Sequence, residues 1–136
     1  MKRYFFPAIL MLAVLGTAAH AQKSVRLKAA PPAFKSFYAK FRGAVAKSDK
    51  QAIASMTAFP FQYGFDAGDE GTWSRAQFIK HFARIFSGEK AVFAQADPTF
   101  DVDGGTFGLT NMSQASHFTF SKKGSVYKLT AYIVEP

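Results

Sequence analysis

Residues 59–65 read FPFQYGF, with an aromatic ring at Phe59, Phe61, Tyr63 and Phe65. A period of two is that of an extended strand, so the four rings project from one face and Pro60, Gln62, Gly64 and Asp66 from the other. Pro60 lacks an N–H and belongs at the strand's start or on an edge. Fully burying one ring is worth about 1.5–3 kcal/mol, against a net domain stability of about 5–15 kcal/mol. A slip in register that exposed the row would cost most of that stability, so other apolar elements must cover it.

Upstream, Phe34, Phe37, Tyr38, Phe41 and Val45 recur at the three-and-four spacing of one helical face, with Lys35, Lys40 and Lys47 facing away. Pro31 and Pro32 can open that helix, which leaves residues 22–33 as an exposed lead-in to a single domain over 34–136. In KSDKQAIASM (47–56), Ser48 or Asp49 caps a second, shorter helix. Gln51 can complete a capping box with Ser48, and Ile53 and Met56 form the apolar side. Downstream, DAGDEG (66–71) reads as a loop. Ser74 with Gln77 then makes a capping box and Trp73 with Phe78 a hydrophobic staple, opening a third helix that carries Phe78, Ile79, Phe82, Ile85 and Phe86 and stops near Gly88.

The remainder is strand-like: AVFAQA (91–96), PTFDV (98–102), TFGLTNM (106–112), SHFTFS (116–121) and SVYKLTAYIV (125–134), with hairpin turns at Asp103–Gly105 and Lys122–Gly124. Alternation puts Phe118 with Phe120 on one face, as it does Tyr127, Leu129, Ala131 and Ile133. His117, Thr119, Lys128, Thr130 and Tyr132 take the other. Helices first and a mostly antiparallel sheet after predict an α+β domain with three helices from the N-terminal half on one sheet face. The ring row should then meet Phe34, Phe37 and Phe41 of the first helix and Phe78 and Phe82 of the third.

Composition narrows the setting. Lys2 and Arg3, the apolar run from Ala8 to Gly16, and Ala19-His20-Ala21 make a secretory leader over residues 1–21 with cleavage after Ala21, so the chain is expected to be exported, periplasmic or secreted. No apolar run approaches the roughly 20 residues of a membrane span, and without cysteine there is neither a lipoprotein anchor nor a disulfide framework. Removing 21 of 136 residues leaves 115, one domain's worth, with 15 Lys and Arg against 9 Asp and Glu. The lysines come singly, which reads as a solvated surface in preference to a polyanion site.

In order and pattern, FRGAVAKSDKQAIASMTAFPF (41–61) with SRAQFIKHFARIF (74–86) resembles the cystatin-like cone of the nuclear transport factor 2-like superfamily, within it a group of small exported bacterial proteins of uncertain function. The likeness spans most of residues 34–135. It implies a bent sheet wrapped around the first helix with a pocket at the cone's open end. Some relatives are isomerase- or dehydratase-type enzymes with carboxylates, tyrosines or histidines inside the cone. Others only bind ligands or proteins, and the outer sheet face often makes a dimer.

An enzyme of that kind needs a tuned carboxylate or histidine in the cavity. Asp66 lies opposite the ring row, Asp101 and Asp103 alternate with Phe100 and Val102, Asp69 and Glu70 fall in a loop, Asp49 is a cap and Glu135 is in the tail, so no carboxylate is expected to point inward. His117 belongs to the outer face. His81 borders the third helix's apolar stripe, either as a boundary residue or reaching the cavity. No histidine or acid spacing suits zinc, DVDGG (101–105) lacks the later ligands of a calcium loop, and nucleophile, phosphate-loop and nucleic-acid signatures are missing. The inward polar groups are the hydroxyls of Tyr38, Tyr63 and Tyr127. In a filled core they pair with one another, backbone or water; in an open cone, Tyr38, Phe41, Phe61, Tyr63, Phe82 and Tyr127 would bind a small apolar ligand, with Arg42, Arg75 or His81 at the rim.

The sequence thus favours a non-catalytic binding or interaction domain, with a ligand in the cone or a protein partner, including a second copy, on the outer sheet. The alternative is an isomerase- or dehydratase-type enzyme using His81 with Tyr38 or Tyr63. No cofactor, nucleic acid or membrane anchor is expected.

Overall fold

A computed structural model describes residues 23–136. The leader predicted over residues 1–21 lies outside them. The helices are α1 (Pro32–Ala46), α2 (Lys50–Ser55), α3 (Arg75–Lys80), α4 (Phe82–Phe86) and α5 (Lys90–Phe93). The strands are β1 (Lys23–Arg26), β2 (Thr57–Phe65), β3 (Asp69–Trp73), β4 (Thr99–Asp103), β5 (Thr106–Asn111), β6 (Ser116–Lys123) and β7 (Val126–Val134). The strands form one sheet in the order β1-β4-β5-β6-β7-β2-β3, antiparallel throughout except where β2 runs parallel to β7. The predicted α+β class, with helices on one face of a mostly antiparallel sheet, holds. Among the described residues no helix is long and apolar enough to cross a membrane.

Local chemistry sets the boundaries. Pro32 opens α1, where its missing N–H is no loss. The Asp49 carboxylate accepts from the Ala52 N–H at 3.1 Å and caps α2. Ser48, at φ 51°, takes the left-handed turn before it and forms no capping box. The Ser74–Gln77 box at α3 forms in full, with bonds of 2.8 and 3.3 Å. The β4–β5 hairpin turns at Gly104 and Gly105, both in the left-handed region at φ 59° and 103°, where a Cβ would be strained.

Several expectations are corrected. The lead-in is largely exposed, but its backbone pairs as the edge strand β1 with β4, and the Asp97 carboxylate holds it by accepting from the Lys28 N–H at 2.9 Å. Part of DAGDEG joins Trp73 in the edge strand β3, because Gly71 leaves room for the Tyr63 ring crossing from β2: a Cβ there would lie 3.2 Å from the phenol oxygen. The third helix breaks at His81 into α3 and α4. AVFAQA begins in the short helix α5, too short for periodicity to tell it from a strand.

The ring row does turn inward, and Phe61 is fully buried. It meets α3, with Phe59 and Phe61 at 5.6 and 5.0 Å from Phe78, and it meets Trp73, which stacks on Tyr63 at 4.2 Å. The rings of α1 cover β4–β7 instead. Phe34 stacks on Phe107 at 4.0 Å and meets Phe100 and Tyr127 edge-on, while Phe41 meets Phe120. Phe82 stacks on Phe86.

Candidate functional site

A register shift divides β7. Phe120 pairs with Leu129 but Thr119 with Ala131, so Thr130 is an extra residue in the ladder. Such a bulge reverses which side chains face inward beyond it. Tyr127 and Leu129 point into the core as predicted. Past the bulge it is Tyr132 that turns inward, 4.8 Å from Phe118, and Ala131 and Ile133 that turn outward, the reverse of strict alternation.

Inward Tyr132 completes a polar cluster that the sequence reading missed. Glu89, in the turn between α4 and α5, is 1% exposed. Its carboxylate accepts from Asn111 Nδ2 at 2.7 Å, Ser116 Oγ at 2.6 Å and Tyr132 Oη at 2.9 Å, one donor each from the ends of β5, β6 and β7. The expectation of no inward carboxylate is therefore wrong. Neither strand parity nor helix periodicity reaches a residue in a tight turn. The available signal was Asn111, which alternation places inward after Phe107 and Leu109 and which a core must partner. Burial first, and the Glu89 hydrogen bond second, push the Tyr132 phenol well above its ordinary pKa. Three donors on one carboxylate make this cluster a satisfied clamp tying the α4–α5 turn to the sheet.

The candidate ligand residues lie in the core. Tyr38, Phe41 and Phe61 are fully buried, Phe82 and Tyr127 nearly so, and Tyr63 half-buried. The Tyr38 ring is enclosed by Phe34, Phe93, Phe100 and Phe120 at 5.0–6.2 Å. Its hydroxyl has no hydrogen-bond partner, and burial raises its pKa far above the usual phenol value. His81 stacks on Trp73 at 4.9 Å, and among the described residues no hydrogen bond links it to Tyr38 or Tyr63. At the rim, Arg42 donates to the Gln95 carbonyl and Arg75 to Gln51. His117 lies on the outer face between Thr110, 2.8 Å from Nδ1, and Glu135, 3.2 Å from Nε2. Among the described residues no group of three or more His, Cys, Asp or Glu side chains gathers as a metal site.

Grooves open on the outer sheet face. The larger, about 1080 Å³, lies where β2 and β7 lose register between Thr57 and Gln62, lined by Pro60, Gln62, Thr72, Lys128, Thr130 and Ile133 among others. Lys128 also reaches back to donate to the Ser55 carbonyl at 2.6 Å. A smaller groove of about 480 Å³ lies beside it against the C-terminal tail.

No family model matches the chain, and no curated protein sequence does. Solved structures are similar to it. An NTF2-like protein of unknown function from Silicibacter pomeroyi shares 15% identity over 74% of this chain and 90% of that one, with a TM-score of 0.44. Aln2 from a Streptomyces species shares 19% over 78% and 92%, also at 0.44. An NTF2-like protein with a cystatin-like fold from Novosphingobium aromaticivorans shares 13% over 74% and 77%, at 0.42. At this likeness they assign neither ligand nor activity to this chain.

Proposed function

We propose that this chain is an exported, non-catalytic binding domain whose protein partner docks on the outer sheet face, the aromatic interior serving as scaffold. One contrast carries the reading: the cone side chains are packed ring against ring with Phe34, Phe41, Phe61, Phe118 and Phe120 fully buried, while a groove of about 1080 Å³ opens on the outer sheet face. The outer face beside the larger groove offers half-buried short hydroxyl side chains, Thr106, Thr110, Thr119, Ser121 and Thr130, with apolar Ile133, a mixture suited to close approach by another polypeptide. A second copy is the simplest such partner. The leader-like residues 1–21 support export.

A second reading, a small apolar ligand inside the cone, is favoured by one observation, the unpartnered hydroxyl of Tyr38. Native mass spectrometry of the exported protein separates the two. Dimer or bound protein that is lost in the exposed-site variant Gln62→Arg/Thr72→Arg supports outer-face docking. A small molecule carried equally by parent and variant supports the cone, and a bare monomer in both overturns the proposal.

A further inference from the structure

Cations that are dispersed in sequence are gathered by the fold. Helix α1 contributes Lys35, Lys40 and Arg42, α2 Lys50, and α3 Arg75 and Lys80. Arg84 on α4 and Lys90 on α5 complete the set, and none of the five helices contains an aspartate or glutamate. Of the acids in the turns that join or follow the helices, Glu89 is buried, Asp49 is engaged as a cap, and Asp97 is held by the Lys28 N–H and by Arg26 of β1. Among the described residues, only Arg84 of the helix cations reaches a carboxylate, that of Asp69. The remaining acids, Asp66, Asp69, Glu70, Asp101, Asp103 and Glu135, all belong to the strands and their connections.

The helices form one contiguous layer. Arg75 donates to Gln51 at 2.9 Å, joining α3 to α2, and the Lys50 ammonium sits 5.8 Å from the Phe82 ring centre, joining α2 to α4. Along α1, Lys35 to the capping Lys47 spans roughly 18 Å of rigid helix at the standard rise. The charges exposed along α1 are all of one sign, which is unusual, since soluble surfaces normally intersperse both signs. The layer also lacks apolar anchors: the large hydrophobic side chains exposed in the described residues, Met112 and Val126, lie in the β5–β6 turn and at the start of β7. Among the described residues, the helical layer therefore presents no apolar anchor for a bilayer and no exposed aromatic to stack a nucleobase.

We infer that the helical layer is a docking surface for a linear phosphate-bearing polyanion, held through charge alone and independent of the outer sheet face. Binding of this kind releases counterions, so affinity falls steeply with salt, each contact adding about 0.7–0.9 to the slope of log K against log salt.

The test titrates the exported protein with long-chain polyphosphate across a chloride series, with inorganic phosphate and phosphatidylglycerol vesicles as parallel probes. Polyphosphate should bind with a slope of about 3 or more, and inorganic phosphate should not compete at equal phosphate. The variant Lys35→Gln/Lys40→Gln/Lys47→Gln/Lys80→Gln should bind at least tenfold more weakly with a shallower slope. Lys23→Gln/Lys28→Gln/Lys122→Gln/Lys123→Gln, which removes equal charge from the sheet side, should stay within about twofold of the parent. All eight side chains are exposed, and unchanged thermal unfolding confirms the fold. The four single substitutions on the helix side provide a graded series should the combined variant not fold. Absence of binding at low salt, equal loss in the two combined variants, or tighter binding to the vesicles than to the polymer would overturn the inference.

Discussion

Replacing Tyr38 with phenylalanine should stabilise the protein, although it deletes a polar group and adds no contact. The ring is fully buried on α1, 5.0 Å from Phe100 and 5.9 Å from Phe34, and those packing contacts survive in phenylalanine. What disappears is a hydroxyl with no hydrogen-bond partner. Burying such a group costs about 1–3 kcal/mol, so the gain should be about 1–2 kcal/mol. For a domain of about 100 residues, each kcal/mol moves the thermal midpoint by about 4–8 °C, well within the reach of calorimetry. The alkaline limb supplies an independent check. Burial raises the folded-state pKa of Tyr38 above the ordinary phenol value of about 10, so the folded form keeps its proton after the unfolded form has lost it. The stability tied to this group is thus intact below pH 10 and declines above it, by about 1.4 kcal/mol per pH unit. Tyr38→Phe should flatten that decline, leaving the contribution of Tyr132, whose pKa is raised in the same direction. A variant less stable than the parent at neutral pH would refute the reasoning, for it would mean that the hydroxyl has a partner, and a ligand or buried water in the cone would become the better account.

Other perturbations probe different parts of the structure. Glu89→Ala strands Asn111, Ser116 and Tyr132 without their shared acceptor, and urea unfolding should register a loss of about 3–5 kcal/mol; a loss below 1 kcal/mol would show that the clamp does not form. Phe61→Ala empties the centre of the ring row and should cost about 3–5 kcal/mol in the same assay, whereas a surface-like cost would mean that the row faces water. Asp49→Ala removes the α2 cap for about 1 kcal/mol, and Asp49→Asn should restore most of it. The chain's single tryptophan, Trp73, stacks with His81, so His81→Ala should open the indole to water and shift its emission to the red; an unchanged spectrum would mean that the two rings do not touch.

Where physical signals were local, the sequence was legible. The period of two in β2, the capping box at Ser74, the proline entry to α1 and the glycine hairpins each depend on a few neighbouring residues, and each formed. The misses have non-local causes. β1 and β3 are short edge strands whose pairing depends on partners far along the chain, and KSVR and DEGTW carry too little apolar pattern to announce it. The break at His81 and the short helix α5 fall below the length at which periodicity can discriminate. Glu89 was invisible for a related reason. Its burial is decided by three donors contributed by the ends of three later strands, 22 to 43 residues away.

Thr130 links the inside of the domain to its outside. A β7 strand in strict alternation would continue Tyr127 and Leu129 with Ala131 and Ile133 into the core, leaving Tyr132 on the outer face and Glu89 one donor short. The extra residue changes the phase: the phenol of Tyr132 swings in to the carboxylate, and small Ala131 and branched Ile133 swing out. The same residue marks where β7 loses step with its parallel neighbour β2, and the larger groove opens at that mismatch, with Thr130 in its wall. Phe118 and Tyr132 on one side and Thr119 and Ala131 on the other are therefore set together, since a strand cannot turn one face without turning its opposite. The clamp that holds the α4–α5 turn and the wall of the larger groove thus meet at one inserted residue, with the surplus residues of β2 between Thr57 and Gln62 opening the groove opposite it.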